Sequence, residues 1–239
     1  MFLTIGFQNI VFSQTNKNLN TILNKLNITE AKIAMDFICI KSLPYEADAT
    51  IYAIPVKTED EEGYWSADIH LLKVSNKTDS ILIHSIFKDK IQSDAVKLYK
   101  IWIDTAPYYI KNDKRAFAIR FKYANNSSAA GYDWEDFSLI QEEDNNFEQI
   151  FKLDTYSNLV YGGGDCENTE FFTQKSILLI DKSQTNSDYF NIIEKIHFEH
   201  YFLDKDCEDG KKEIKKFQNV YQFIDNTYSC KGKRLKGMN

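Results

Sequence analysis

Arg115-Ala-Phe-Ala-Ile-Arg-Phe-Lys-Tyr123 decides the fold class. Phe117, Ile119, Phe121 and Tyr123 fall on one side of an extended chain, with Arg120 and Lys122 on the other. A period of two is the signature of a pleated strand; at helical spacing the same residues would scatter around the axis. The rhythm continues in both directions. Upstream it runs through Thr50 to Val56, Ser66 to Val74, Ile81 to Phe87, and Tyr99, Ile101 and Ile103, which alternate with Lys100, Trp102 and Asp104. Downstream come Phe137 to Gln141, Phe147 to Leu153, Ser176 to Asp181 and Phe190 to Phe202. Polar or glycine-rich breaks separate them: an acidic loop at Glu59 to Gly63, then Asn76 to Asp79, Asn125 to Gly131, Gly162 to Gly164 and Asp204 to Gly210. Ile214, Phe217, Val220, Tyr221 and Ile224 fit a helix or a strand. Asp225-Asn226, a good hairpin turn before Tyr228, favours the strand.

Ahead of this body, Leu19, Ile22, Leu23 and Leu26 recur at i, i+3, i+4 and i+7, one apolar stripe on a short helix. Ile33 to Ile40 reads as a strand that Ser42-Leu43-Pro44 ends. The expected fold is mainly β, an antiparallel sandwich or propeller-like meander of about ten strands with one short N-terminal helix. Composition agrees: 17 Phe and 14 Tyr against 9 Gly and 3 Pro suit half-buried pleated surfaces rather than linkers. A net charge of -6 provides no electrostatic reason to bind nucleic acid or anionic lipid.

The first fourteen residues, MFLTIGFQNIVFSQ, read as the tail of an export signal. Phe2, Leu3, Ile5, Phe7, Ile10, Val11 and Phe12 form the apolar run, and Val11-Phe12-Ser13 places a small residue at the cleavage point. No Lys or Arg precedes the run, so a basic start is expected upstream of Met1; the alternative is an ordinary buried strand over Phe2 to Phe12. The organisation that follows is a signal peptide over 1–13, an N-terminal helix and strand over 14–45, an antiparallel β domain over 46–230 and a basic tail over 231–239. No later apolar run approaches the ~20 residues a spanning helix requires, so no transmembrane segment is expected in the mature chain.

Ile103-Asp-Thr-Ala-Pro-Tyr108, Arg115-Ala-Phe-Ala-Ile-Arg120, Cys166 in a glycine-rich turn, Cys207 in an acidic turn and the Phe223-to-Tyr228 hairpin together carry a likeness. From about Ile51 to the C-terminus the chain resembles a family of exported, β-rich proteins of Gram-negative bacteria that has no established activity. Ala118 departs from the family pattern, which has glycine there, and this suggests a local backbone without positive φ. The resemblance implies a periplasmic or secreted location and a β-rich fold, and names no catalytic residue.

Export turns Cys39, Cys166, Cys207 and Cys230 into a disulfide question. They are even in number, widely spaced and without a CxxC, so neither a zinc ribbon nor a thioredoxin-like centre is indicated. Three pairings are possible. Cys166–Cys207 is favoured because both lie in turn-like sequence within the resembling region, and Cys39–Cys230 would then tie the start to the end. The competing reading makes Cys39 a buried thiol on an apolar strand.

Other chemistry is sparse. His197 and His200 lie three apart, on opposite faces of a strand, so they cannot share an ion, and no metal or cofactor is expected. Glu59 to Glu62 lacks the spacing of a calcium loop. There is no G-x-S-x-G elbow. Trp134 and Tyr132, in Gly-Tyr-Asp-Trp-Glu-Asp, and Trp65 are the candidate ligand-contact aromatics, although packing explains most large aromatics in β cores. The reading is an exported β-domain that binds or builds, without catalysis, at the cell envelope; its partner would be an envelope protein, peptide or glycan. The alternatives are a hydrolase of envelope polymers using paired carboxylates and, with less support, an inhibitor or immunity protein.

Overall fold

The computed structural model describes residues 19–125, 127, 130–162, 166, 169–206 and 208–232. The expected signal peptide, most of the basic tail, Gly163, Gly164 and Cys207 lie outside the described residues. The chain is mainly β, with one short N-terminal helix and two antiparallel sheets in which each strand pairs with its neighbour in sequence. It divides into two compact units, one ending at Gln92 and one beginning at Ser93.

In the first unit the helix covers residues 19–25, and Leu19, Ile22 and Leu23 of its expected stripe are buried. They pack with Tyr52, Ile54, Leu72 and Val74 of a four-stranded sheet. Its strands are β1 (Cys39–Ser42), β2 (Ala49–Glu61), β3 (Tyr64–Ser75) and β4 (Ile81–Ser93), in that order. The strand expected over Ile33 to Ile40 is interrupted by a 3-10 turn, Met35–Phe37, and another, Glu30–Lys32, immediately precedes it. Ile33 meets the sheet only through an isolated bridge to Val56, and Cys39 opens β1. The acidic loop is also shorter than expected. Glu59 to Glu61 belong to β2, and Glu61 pairs with Tyr64, so Glu62-Gly63 makes the turn with Gly63 at φ +80°.

The second unit is an eight-stranded meander. It comprises β5 (Lys97–Tyr109), β6 (Arg115–Ala124), β7 (Tyr132–Glu143), β8 (Asn146–Tyr161), β9 (Glu170–Asn186), β10 (Tyr189–Leu203), β11 (Asp209–Ile224) and β12 (Thr227–Cys230). Three of its turns, Asp144-Asn145, Ser187-Asp188 and Asp225-Asn226, hold both central residues at positive φ. That geometry belongs to the tight hairpin turn whose twist matches the strands it joins, and Asp and Asn tolerate it best after glycine. Pro107 lies in β5, an edge strand with an irregular register between Asp104 and Tyr108, where a missing N–H costs least.

β6 keeps the predicted alternation but is covered on both sides. Phe117, Ile119, Phe121 and Tyr123 are buried, and so are Ala116 and Ala118. The second buried set arises because the sheet folds back on itself. β12 lies against β8: Thr227 Oγ1 donates to the Ile150 carbonyl at 3.0 Å, and Phe151 meets Tyr221 and Tyr228 edge-on at 4.8 and 5.9 Å. The β9–β10 tip closes the same core, with the Phe190 N–H donating to the Ile110 carbonyl at 2.8 Å and the Tyr189 hydroxyl to Gln141 at 3.0 Å. The sheet stays open rather than closing as a barrel.

Phe151→Ala is expected to lower the unfolding free energy by about 3–5 kcal/mol, the range for an emptied aromatic core site. Denaturant titration measures it, and Phe151→Leu should recover much of the loss.

Candidate functional site

The site is built from side-chain clusters. The most highly charged lies on β5 to β8. Arg120 projects from β6 opposite the buried face of Phe117, Ile119, Phe121 and Tyr123, where the sequence places it. Its Nε donates to Asp104 at 2.9 Å, its Nη1 to Glu135, and its Nη2 to the Tyr108 hydroxyl at 3.3 Å. Tyr108 in turn donates to Asp104 at 2.8 Å, and Thr155 Oγ1 donates to Glu135 at 2.7 Å. The guanidinium also stands 4.7 Å from the Phe137 ring centre. Side chains of Arg120, Asp104 and Glu135 are about one-fifth exposed.

This geometry sets the protonation states. Burial pushes the Asp104 carboxyl upward, but the Ala106 N–H, Tyr108 hydroxyl and Arg120 outweigh it and hold the group below the usual carboxylate value. Burial, then the Asp104 charge, raises the Tyr108 phenol to about 12. Asp104 is thus a fixed anion and Arg120 a fixed cation, an arrangement that positions strands and provides no general acid. Further along the same face of β7, Asp133 behaves oppositely. Burial raises its carboxyl, against the lowering effects of Lys122 and a hydrogen bond from Tyr156.

The aromatic candidates lie on strands. Trp134, expected in a loop, is part of β7 and stands opposite Tyr123 of β6. It stacks on Tyr123 at 4.7 Å and 12°, and on Tyr132 at 4.9 Å and 29°. Tyr123 is buried, whereas Trp134 and Tyr132 are half-exposed, next to the 125–131 connection. Asn125 anchors that connection by accepting the Tyr132 N–H at 2.8 Å. Trp65 is elsewhere, in the first unit, stacked on Phe37 at 5.7 Å. Trp134 and Tyr132 therefore form one surface of the second unit.

Cys39 on β1 of the first unit and Cys230 on β12 of the second are half-buried thiols. The Cys166–Cys207 pairing involves a residue outside the described set. His197 and His200 do not converge, as expected from β10: His197 meets Glu199 at 2.8 Å, and His200 meets Glu170 at 3.1 Å while stacking on Phe172 at 4.1 Å. Among the described residues no group of three or more His, Cys, Asp or Glu is placed to hold a metal ion. No helix among them is long and apolar enough to cross a membrane.

Two clusters escaped sequence reasoning. Glu194 is fully buried and accepts hydrogen bonds from Ser176 at 2.7 Å, Asn219 at 2.9 Å and Tyr221 at 2.6 Å. A Glu on the apolar face of β10, among Ile192, Ile196 and Phe198, was the available signal. His70 and His84 meet across β3 and β4 at 3.1 Å, and nothing in either strand alone announces the pairing. Burial lowers both imidazoles, with the neighbouring His84 adding to the effect on His70.

Comparison of the chain with protein-family models, with curated proteins and with solved structures returned no match.

Arg120→Met should destabilise the protein by about 3 kcal/mol, the low end for removing one partner from a buried ion pair. The sign with pH follows from Asp104. A carboxyl held low in the folded state adds stability above the ordinary carboxylate range and loses it as pH falls through the folded value. The part of the acid-induced loss that comes from Asp104 should therefore be smaller in Arg120→Met, giving a shallower fall of unfolding free energy below the ordinary carboxylate range than in the wild type.

Proposed function

We propose that this protein is an exported, non-enzymatic β-scaffold of the cell envelope that binds a glycan or peptide at its Trp134–Tyr132 surface. The carrying observation is the three-ring stack of Tyr123, Trp134 and Tyr132, buried at one end and half-exposed at the other. A buried ring fixes the orientation of the exposed ones, so a planar or pyranose face can stack without ordering a loose side chain first. Asn125, which accepts the Tyr132 N–H and donates to the Ala130 carbonyl, is a polar side chain beside it. The export-signal-like N-terminus and the resemblance quoted above support the envelope assignment. The Cys166–Cys207 bridge belongs to the same proposal.

One observation favours hydrolysis as a second reading. Asp133 and Glu135 lie two apart on one face of β7, the first with a raised carboxyl and the second tied to Arg120. Residues two apart on a strand are separated by roughly 6.6–7 Å, within the span of acid–base carboxylate pairs. The Glu135 Oε1 is already taken by Arg120 and Thr155, which argues for the binding reading instead.

Titration with soluble envelope glycan fragments, followed by tryptophan fluorescence, distinguishes them. Saturable binding that Trp134→Ala weakens at least tenfold and Asp133→Asn leaves intact is expected. Fragment cleavage that Asp133→Asn abolishes would replace binding with hydrolysis. Recovery of the protein solely from the cytoplasm on fractionation would remove the envelope assignment.

A further inference from the structure

The four histidines of the chain include one pair that approaches within hydrogen-bond distance, His70 and His84. His70 Nδ1 and His84 Nε2 are 3.1 Å apart, with ring centres at 5.1 Å and planes at 32°. The pair joins β3 to β4, the edge strand of the four-stranded sheet. His84 is exposed and His70 partly exposed. Leu82 and Ile86 flank His84 on its own side of β4, and both are substantially exposed. Asp68, two before His70 on the same side of β3, brings a negative charge close enough to act on the His70 ring.

We propose that His70 and His84 form a two-imidazole site for a divalent late transition-metal ion, with water in the remaining positions. The geometry carries it. With metal–nitrogen bonds of about 2.0–2.1 Å, two nitrogens at the observed separation subtend about 95–102° at one ion, between the right angle of adjacent planar ligands and the tetrahedral angle. Converging imidazoles are thus already at the bite of a chelate, and strand pairing rather than side-chain ordering pays for it. Binding replaces the His–His hydrogen bond. The shared ring proton moves to the other nitrogen of the same imidazole through solvent, so each ring stays neutral and offers one lone pair. Two protein ligands make an open, exchangeable site rather than a closed structural one. Imidazole ligation suits copper, nickel and zinc, and the affinity order of divalent ions places Cu2+ highest. A bound ion would clip the edge strand β4 to β3 and stabilise the fold by mass action.

The test uses the full chain with its thiols alkylated and Cu2+ as the probe, read by electron paramagnetic resonance and by thermal unfolding. Wild type is expected to take up one tightly held Cu2+ with two equatorial nitrogens and to gain a Cu2+-dependent rise in Tm. His84→Ala, a substitution at an exposed position, should weaken uptake at least tenfold and abolish that rise. His70→Ala should do the same wherever it folds, while a His197→Ala, His200→Ala double variant keeps both. No uptake by the wild type would overturn the site. So would uptake by His84→Ala at wild-type affinity, or loss in the His197, His200 double variant alone.

Discussion

The second unit depends on the contact of Phe151 with Tyr221 and Tyr228. A meander of eight strands paired only with sequence neighbours has two open edges and one unburied face unless it folds over. Here β12 is laid on β8, and the Phe151 ring is the wedge between them. Tyr221 extends the consequence into the polar part of the interior. Its ring edge meets Phe151, and its hydroxyl donates to Glu194. One residue thus ties the apolar core to a carboxylate whose other hydrogen bonds come from Ser176 on β9 and Asn219 on β11. Burial of that carboxylate is tolerable because its oxygens are met by donors from the strands on either side, β9 and β11, and those donors are in place only when the strands are in register.

The same fold-over explains why one face of β5 to β8 changes character along its length. Near the β5–β6 turn it is Ala116, Ala118, Phe137 and Leu139, all buried against the returning strands. Beyond Ala118 the face carries Arg120 with Asp104, Glu135, Tyr108 and Thr155. Side chains there are too enclosed to leave charges unmet and too exposed to be replaced by a dry core. An ion pair of this kind contributes mainly by register: Arg120 satisfies acids from β5 and β7 at once, and only one alignment of the three strands allows that.

Much of the strand layout was legible because period-two alternation is a local property. The stretch from Arg115 to Tyr123 is the clearest case, and Asp225-Asn226 correctly marked its hairpin. Strand ends were less legible. β8 and β9 run well past their predicted apolar segments, since backbone pairing extends a strand through polar residues whose side chains reach solvent. Trp134 read as a loop residue because Asp133, Glu135 and Asp136 surround it with turn-like chemistry. The stacked Tyr123 on the next strand decided otherwise. The Ile33 to Ile40 stretch failed in the opposite sense: its apolar residues suit a strand, but Ile33 finds one bridge to Val56 and the backbone winds into 3-10 turns on either side.

By itself, then, the sequence determined that this chain is an antiparallel β protein with a short amphipathic N-terminal helix, and where the main strands lie. Those properties reside in neighbours along the chain: alternation, an apolar stripe, a turn pair that tolerates positive φ. The tertiary structure decided which strands meet and which do not. It paired Asp104 and Glu135 with Arg120, enclosed Glu194, and brought His70 to 3.1 Å from His84. Each of these is a distance between residues far apart in the chain, set by strand register and the folding-over of a sheet, and no local pattern encodes it.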